Sequence, residues 1–369
     1  MKREVTCKPL RFFINFSLIS IFFSSCVSEK EETLFIDLSS KQSGIEFSNN
    51  LSNSDSFNII DYLYYYDGGG VAVGDINNDG LSDIYLVSNE GDNALFLNQG
   101  GLKFKDISES AGVKSPGPWK TGVSMADVNG DGLLDIYLCR LGDYKGVTGK
   151  NELYINQGDM TFREEAAKYN LDFVGFSTQA AFFDMDNDGD LDVYLLNHSV
   201  HTHRSFGDAS LRLDIDSLAG DRIYRNDGGY FTDISSASGI YRSQIGYGLG
   251  IGLTDINKDG FTDIFISNDF MENDYLYLNN QDGTFSDVFP DMADHTSLSS
   301  MGSDLADFNN DGFVDIITLD MLPEDDVVRK SIIGDDPNEI FRMKLAFGYM
   351  AQYSRNTLQL NRGNGTFSI

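Results

Sequence analysis

Cysteine is nearly absent, with three in 369 residues. Cys7 lies in an N-terminal targeting segment and Cys26 at its end, so Cys139 stands alone and no internal disulfide can form, even in an oxidising compartment. Something else must staple the fold, and Cys139, in "LDIYLCR", reads as a small core residue. Positive charge is also scarce. The 27 Lys and Arg stand against 57 Asp and Glu, a formal charge of −30, which disfavours binding to a nucleic-acid backbone. Apolar stripes of helical period are largely missing, which excludes a helical solenoid. The longest apolar run, 12–23, follows Lys2, Arg3, Lys8 and Arg11 and is too short to span a bilayer, so it reads as a signal segment. No phosphate loop, dinucleotide fingerprint or nucleophile–base pair is found. What remains is 41% hydrophobic, enough for a sizeable core, so the acidity is not that of a disordered tail. Six prolines against 37 glycines suggest glycine turns between short strands.

The sequence repeats. "DINNDGLSD" at 75–83 returns with small changes at 127–135, 184–192, 255–263 and 307–315, its starts 52, 57, 71 and 52 residues apart. Each copy is preceded by small and apolar residues and followed by a run such as "IYLVS" or "IFISN", which predicts strand, tight turn, strand. A second half also recurs, N/D-x-L/I-aromatic-x-N followed by a glycine turn and Phe, at 93–98, 151–156, 221–226, 274–279 and 356–361, with Gln359 replacing the last aromatic. Phe104, Phe162, Phe231, Phe285 and Phe367 are expected to open a fourth strand. Four strands per fifty-odd residues is the size of a propeller blade. The expected fold class is all-β, a β-propeller of four-stranded blades.

The acidic turn has the chemistry of a calcium loop. Side-chain oxygens at positions 1, 3, 5 and 9 and a carbonyl near 7 would surround a hard cation, and Gly at 6 permits the sharp turn. Without a cation the clustered carboxylates repel one another. The predicted ligands are Asp75, Asn77, Asp79 and Asp83; Asp127, Asn129, Asp131 and Asp135; Asp184, Asp186, Asp188 and Asp192; Asp255, Asn257, Asp259 and Asp263; and Asp307, Asn309, Asp311 and Asp315. The third copy has Asp at all four positions and Asp190 at position 7, so it is expected to bind most tightly. Five Ca²⁺ would move the charge from −30 to about −20.

These residues resemble the FG-GAP or VCBS repeats of integrin-α-type propellers. "GGGVAVGDINNDGLSDIYL" and "TLDMLPEDD" with "RNTLQLNRGNGTF" resemble most closely the bacterial lipoproteins related to cartilage acidic protein, which often carry an ASPIC/UnbV module, over about residues 35–369. Such propellers commonly close with seven blades. Here five turns are present and the chain stops where a fourth strand begins, so either residues 31–66 complete a five-bladed ring or, as favoured, the chain is a truncated copy. "FSSC" at 23–26 resembles a lipobox, which implies cleavage after residue 25 and acylation of Cys26. The expected organisation is a signal peptide at 1–25, an acidic tether at 26–34 and the propeller at 35–369, with the protein displayed as an outer-membrane lipoprotein.

Long insertions fall between the second and third strands, opposite the acidic turns, where a binding face often collects. The third carries His198, His201, His203 and Arg204, either a polar loop or a metal or catalytic cluster. The fifth predicts a helix after Pro337, its apolar stripe of Ile340, Met343, Leu345 and Phe347 capping the disc. The Tyr-rich stretch 57–70 and Trp119 are expected to pack between blades, although the tyrosines could stack on sugar rings. The function expected is non-catalytic, calcium-dependent binding of a protein or polysaccharide at the cell surface. The alternatives are a lyase-like enzyme acting on polysaccharide through the His cluster, and a scaffold within an envelope complex.

Overall fold

The strand register explains why each acidic turn is nine residues long. The ninth residue opens the second strand and lies opposite the residue just before the first, as Gly74↔Asp83, Ala126↔Asp135, Phe183↔Asp192, Thr254↔Asp263 and Ala306↔Asp315. The computed structural model describes residues 34–200, 207–331 and 336–368. The chain falls into two units, Met1–Ser39 and Ser40–Ile369, and the second holds all the strands below. The expected signal, tether and acylated Cys26 lie almost wholly outside the described residues.

Five four-stranded antiparallel sheets follow one another. Blade one is β1 (Val71–Gly74), β2 (Asp83–Leu86), β3 (Ala94–Asn98) and β4 (Phe104–Asp106). Blade two is β5 (Lys120–Ala126), β6 (Asp135–Arg140), β7 (Glu152–Asn156) and β8 (Phe162–Glu164). Blade three is β9 (Ser177–Phe183), β10 (Asp192–Asn197), β11 (Arg222–Asn226) and β12 (Phe231–Asp233). Blade four is β13 (Gly248–Thr254), β14 (Asp263–Asn268), β15 (Tyr275–Asn279) and β16 (Phe285–Asp287). After β17 (His295–Ser297), blade five is β18 (Gly302–Ala306), β19 (Asp315–Leu319), β21 (Thr357–Asn361) and β22 (Phe367–Ser368), with β20 (Ala351–Tyr353) pairing in parallel with β17. Each predicted Phe does open the fourth strand. Residues 34–66 contribute no strand, so they do not complete a blade.

The core lies between blades. Tyr85, Leu95, Ile136 and Leu138 fill the layer between blades one and two, and Tyr137, Cys139, Val193 and Leu195 the next. Tyr194, Leu196, Ile264 and Ile266 fill the third, and Phe265, Leu276, Ile316 and Phe367 the fourth. The second strands of the middle blades, β6, β10 and β14, are therefore buried along their whole length. Those of the end blades, β2 and β19, keep partly exposed positions. First strands adjoin so closely that a Cβ on Gly122 would lie 2.2 Å from the Thr178 carbonyl oxygen.

The staple demanded by the missing disulfides is an aromatic plug. Residues 57–67 form turns, and their rings gather in one cluster at the end of the blades instead of packing between them. Phe57, Tyr62 and Tyr65 gather around the buried Trp119, with ring centroids 4.8, 5.8 and 4.8 Å from it. Tyr65 donates to Glu90 of blade one at 3.4 Å, and Tyr64 to Asp269 of blade four at 3.4 Å. Tyr62 shares a 2.9 Å hydrogen bond with His198 of blade three, and Tyr144 of blade two donates to the Asp61 carbonyl at 2.7 Å. All four anchor points lie in connections between second and third strands. The plug thus ties four blades together at the end opposite the acidic turns.

The first residue of the second repeat half pins that same end. Asn93 accepts from Ser88 N just past the second strand and Asn151 from Arg140 N at its last residue, and they donate to the Tyr85 and Tyr137 hydroxyls. In blades three and four the residue is Asp. Asp221 accepts from Asn197 N and Tyr194 Oη, and Asp274 from Asn268 N, the Thr296 hydroxyl and Ser300 Oγ. Burial pushes both carboxyls up to about 7 despite these donors. Unfolded, they would ionise near 4, so between about pH 4 and 7 the native state holds a proton that the unfolded chain has lost, and stability falls as pH rises through that window. Asp274→Asn is therefore expected to stabilise the protein at pH 8 by on the order of 2–4 kcal/mol and to have little effect at pH 4. Denaturant titrations at the two pH values check this, and equal gains at both would contradict it.

Candidate functional site

The same hydrogen bonds recur in the five acidic turns. The first Asp accepts from the backbone N–H of positions 5 and 6, as when Asp75 Oδ1 takes Asp79 N at 3.1 Å and Oδ2 takes Gly80 N at 2.7 Å. Asp127, Asp184, Asp255 and Asp307 do the same. The fifth residue accepts from the N–H of position 7, as Asp79, Asp131, Asp188, Asp259 and Asp311 show. Positions 1, 3 and 5 thus converge at the turn tip. In the third turn Asp184, Asp186 and Asp188 bring one carboxylate oxygen each within 4.8 Å of one another, and Asp186 is raised by burial and by its neighbours Asp188 and Asp184. Gly80 N–H holds Asp75 below the usual carboxylate range. A donor set made only of oxygens, with lone pairs left over on each exposed carboxylate, fits a hard cation.

Position 9 does different work. Asp83, Asp135, Asp192, Asp263 and Asp315 are almost wholly buried. One oxygen of each accepts the N–H of position 2, at 2.8–3.1 Å, and the other accepts the N–H of the last Asn in the second repeat half, at 2.7–2.8 Å. These carboxylates join the acidic turn to the third strand of its own blade. Burial raises Asp135, Asp192 and Asp263 to about 6.

That last Asn was not read from the sequence as functional, although its recurrence in all five copies signals it. Asn156, Asn226, Asn279 and Asn361 each donate through Nδ2 to the position-2 carbonyl of the preceding blade's turn. Position 4 makes a second bridge. It is left-handed in every copy, as Asn78, Gly130, Asn187, Lys258 and Asn310. Asn78 donates to Gly132 O of the next turn and Asn187 to Gly260 O, while Lys258 Nζ lies 3.9 Å from the Phe313 ring centroid. Position-2 residues Ile76, Val128, Met185 and Ile256 are buried under the following blade, whereas Phe308 is 44% exposed because no further blade covers it among the described residues.

On the opposite end, His198 is fully buried, held by Tyr62, and pushed down to about 3 by burial. His201, His203 and Arg204 lie outside the described residues. The fifth insertion does contain a helix, Asn338–Ala346, but its apolar stripe is not what it buries. Met343 and Leu345 are exposed and Lys344 turns inward, 2.6 Å from Asp336 and 3.1 Å from Gln352 Oε1, because those partners compensate its charge there. Lys120 is another buried cation the sequence did not reveal. It donates to the carbonyls of Gly91, Ser115 and Gly117 and is lowered to about 8 by burial and by Arg140.

Between the plug and the first strands lies a cavity of about 280 Å³, lined by Tyr62, Tyr64, Asp67 and Trp119 and by residues of β1, β5, β9 and β13, including Thr121, Thr178 and Gln179. It is an axial well floored by the plug.

The FG-GAP-like repeat family matches residues 75–138, 142–195 and 255–318, which take in all five acidic turns. Cartilage acidic protein 1 of Mus musculus is 32% identical over 210 residues, 55% of this chain and 29% of that protein. Its Homo sapiens counterpart is 30% identical over 210 residues, 55% of this chain and 28% of that protein. The chain thus spans less than a third of the length of these relatives. Among solved structures, an Agrocybe aegerita lectin described for recognition of non-reducing terminal N-acetylglucosamine is 16% identical, with a TM-score of 0.43, covering 80% of this chain and 64% of that one. That likeness is too slight to argue a ligand from. The chain carries FG-GAP-like repeats and is homologous over 210 residues to cartilage acidic protein 1.

Proposed function

We propose that the protein is a calcium-loaded propeller, anchored by a lipid on Cys26 at the cell surface, that binds another macromolecule and performs no chemistry on it. The observation that carries this reading is the fivefold recurrence of solvent-accessible carboxylates, half-buried at position 1 and exposed at position 5, at turn tips whose backbone is already folded around them. A cation at each tip would be held by positions 1, 3 and 5, whose oxygens meet there, and would relieve their mutual repulsion. Position 9 would brace the turn from beneath. Anchoring is assigned to the acyl chain on the lipobox-like FSSC at 23–26. The lyase reading gains no support from His198, which is enclosed.

Expression in a bacterium with labelled palmitate tests the anchor. Label is expected in the wild-type protein and should be lost in Cys26→Ala, with whole-cell protease digesting the surface-displayed chain. An unlabelled wild-type protein released into the medium would contradict the anchor.

A further inference from the structure

We propose that the axial cavity binds a small organic cation, an ammonium or guanidinium group presented by a free amine or by a basic side chain of a protein partner; this rests on the reading of the chain as a binding protein.

Asp67 is the one charged residue in the lining, and neither Lys nor Arg joins it. Its carboxylate has no hydrogen-bond or ion-pair partner among the described residues. The nearby Tyr64 hydroxyl is committed to Asp269, and Asp269 is itself a carboxylate. The charge that acts on Asp67 is thus a second carboxylate, buried outside the lining, no cation of the protein offsets it among the described residues, and a cation is the ligand that would. Asp67 keeps an exposed edge toward solvent at the mouth of the well, while partial desolvation, and then the repulsion of Asp269, raise it to about 6. Tyr62, Tyr64 and Trp119 line the same well, and aromatic rings attract ammonium and guanidinium groups. Gln179 lines it too, with no side-chain hydrogen bond among the described residues, and can accept from an N–H donor. The volume lies just below the range of about 300–1,000 Å³ usual for drug-sized ligands, so one head group fits and a chain of sugars does not. With a formal charge of −30, the protein's field draws cations toward it.

Isothermal titration of the whole chain in calcium tests the site with butylamine, with a lysine-containing peptide, and with the same peptide carrying norleucine in place of lysine. The expected result is binding of the cationic probes and none of the norleucine peptide. Asp67→Asn should weaken binding at least about tenfold, with a smaller loss in Gln179→Ala and native melting in both variants. Tighter binding of the peptide than of butylamine would identify a protein source, and equal binding a free amine. Binding that is indifferent to Asp67→Asn, or equal for lysine and norleucine probes, would overturn the site. So would silence from every probe in a protein that calcium stabilises, and that outcome would leave the broader reading standing. Silence together with no calcium response would sink both.

Discussion

Asp192→Ala is expected to destabilise the protein by about 3–5 kcal/mol in calcium and in chelator alike, since two hydrogen bonds to a charged acceptor are each worth about 1.5–3 kcal/mol. The carboxylate is buried and holds Met185 N and Asn226 N, each at 2.8 Å. Removing it strands two buried N–H groups, one in the acidic turn and one at the end of β11. Asp188→Ala should behave differently. Asp188 is exposed and, among the described residues, accepts the N–H of Asp190 alone, so in chelator its loss should cost under about 1 kcal/mol. In calcium it should cost much more, because on the proposed reading it would remove an ion ligand from the turn in which three carboxylates converge. Urea titrations of both variants in the two buffers separate the roles. Equal sensitivity of the two variants to calcium would show that position 9 is a ligand of the same standing as position 5.

That division of labour marks the limit of what spacing can reveal. The run D-x-[DN]-x-[DN]-G-x-x-D indicated a tight acidic turn between strands, and the Phe residues indicated where fourth strands open. Both are local, because a turn's hydrogen bonds and a strand's first residue are fixed by neighbours in the chain. Spacing named Asp83 and Asp79 alike as ligands and did not reveal that one is turned inward, where it also accepts from Ile76 N and Asn98 N, and the other outward. Which way a carboxylate turns depends on the third strand, and that lies outside the motif. The plug was hidden for the same reason. Tyr62, Tyr64 and Tyr65 read as packing between blades or as a sugar platform until His198, Asp269 and Glu90 are brought to them from three blades. In the helix at Asn338–Ala346 the apolar period was real, yet the buried position went to Lys344, whose partners Asp336 and Gln352 lie outside the helix.

The bridges between turns imply that, if the turns hold ions as proposed, the sites would not act singly. Asn78 links turns one and two, and Asn187 links turns three and four, through the carbonyl of the neighbour's glycine. Turn two has Gly130 at that position and offers turn three no side chain. Ordering of one turn by an ion therefore has a direct route to its partner within these pairs.

The account stands or falls on whether cations fill these turns. Melting of residues 28–369 in millimolar Ca²⁺, in Mg²⁺ and in EDTA measures this most directly. Each site held at a hundredfold over its dissociation constant adds about 2.7 kcal/mol, so several together make calcium removal the largest effect expected of this protein. The predicted result is one cooperative transition, raised by many degrees in calcium and far less in magnesium, which keeps its waters. A transition at the same temperature in all three buffers would mean that the turns are folded by their own hydrogen bonds and hold no ion.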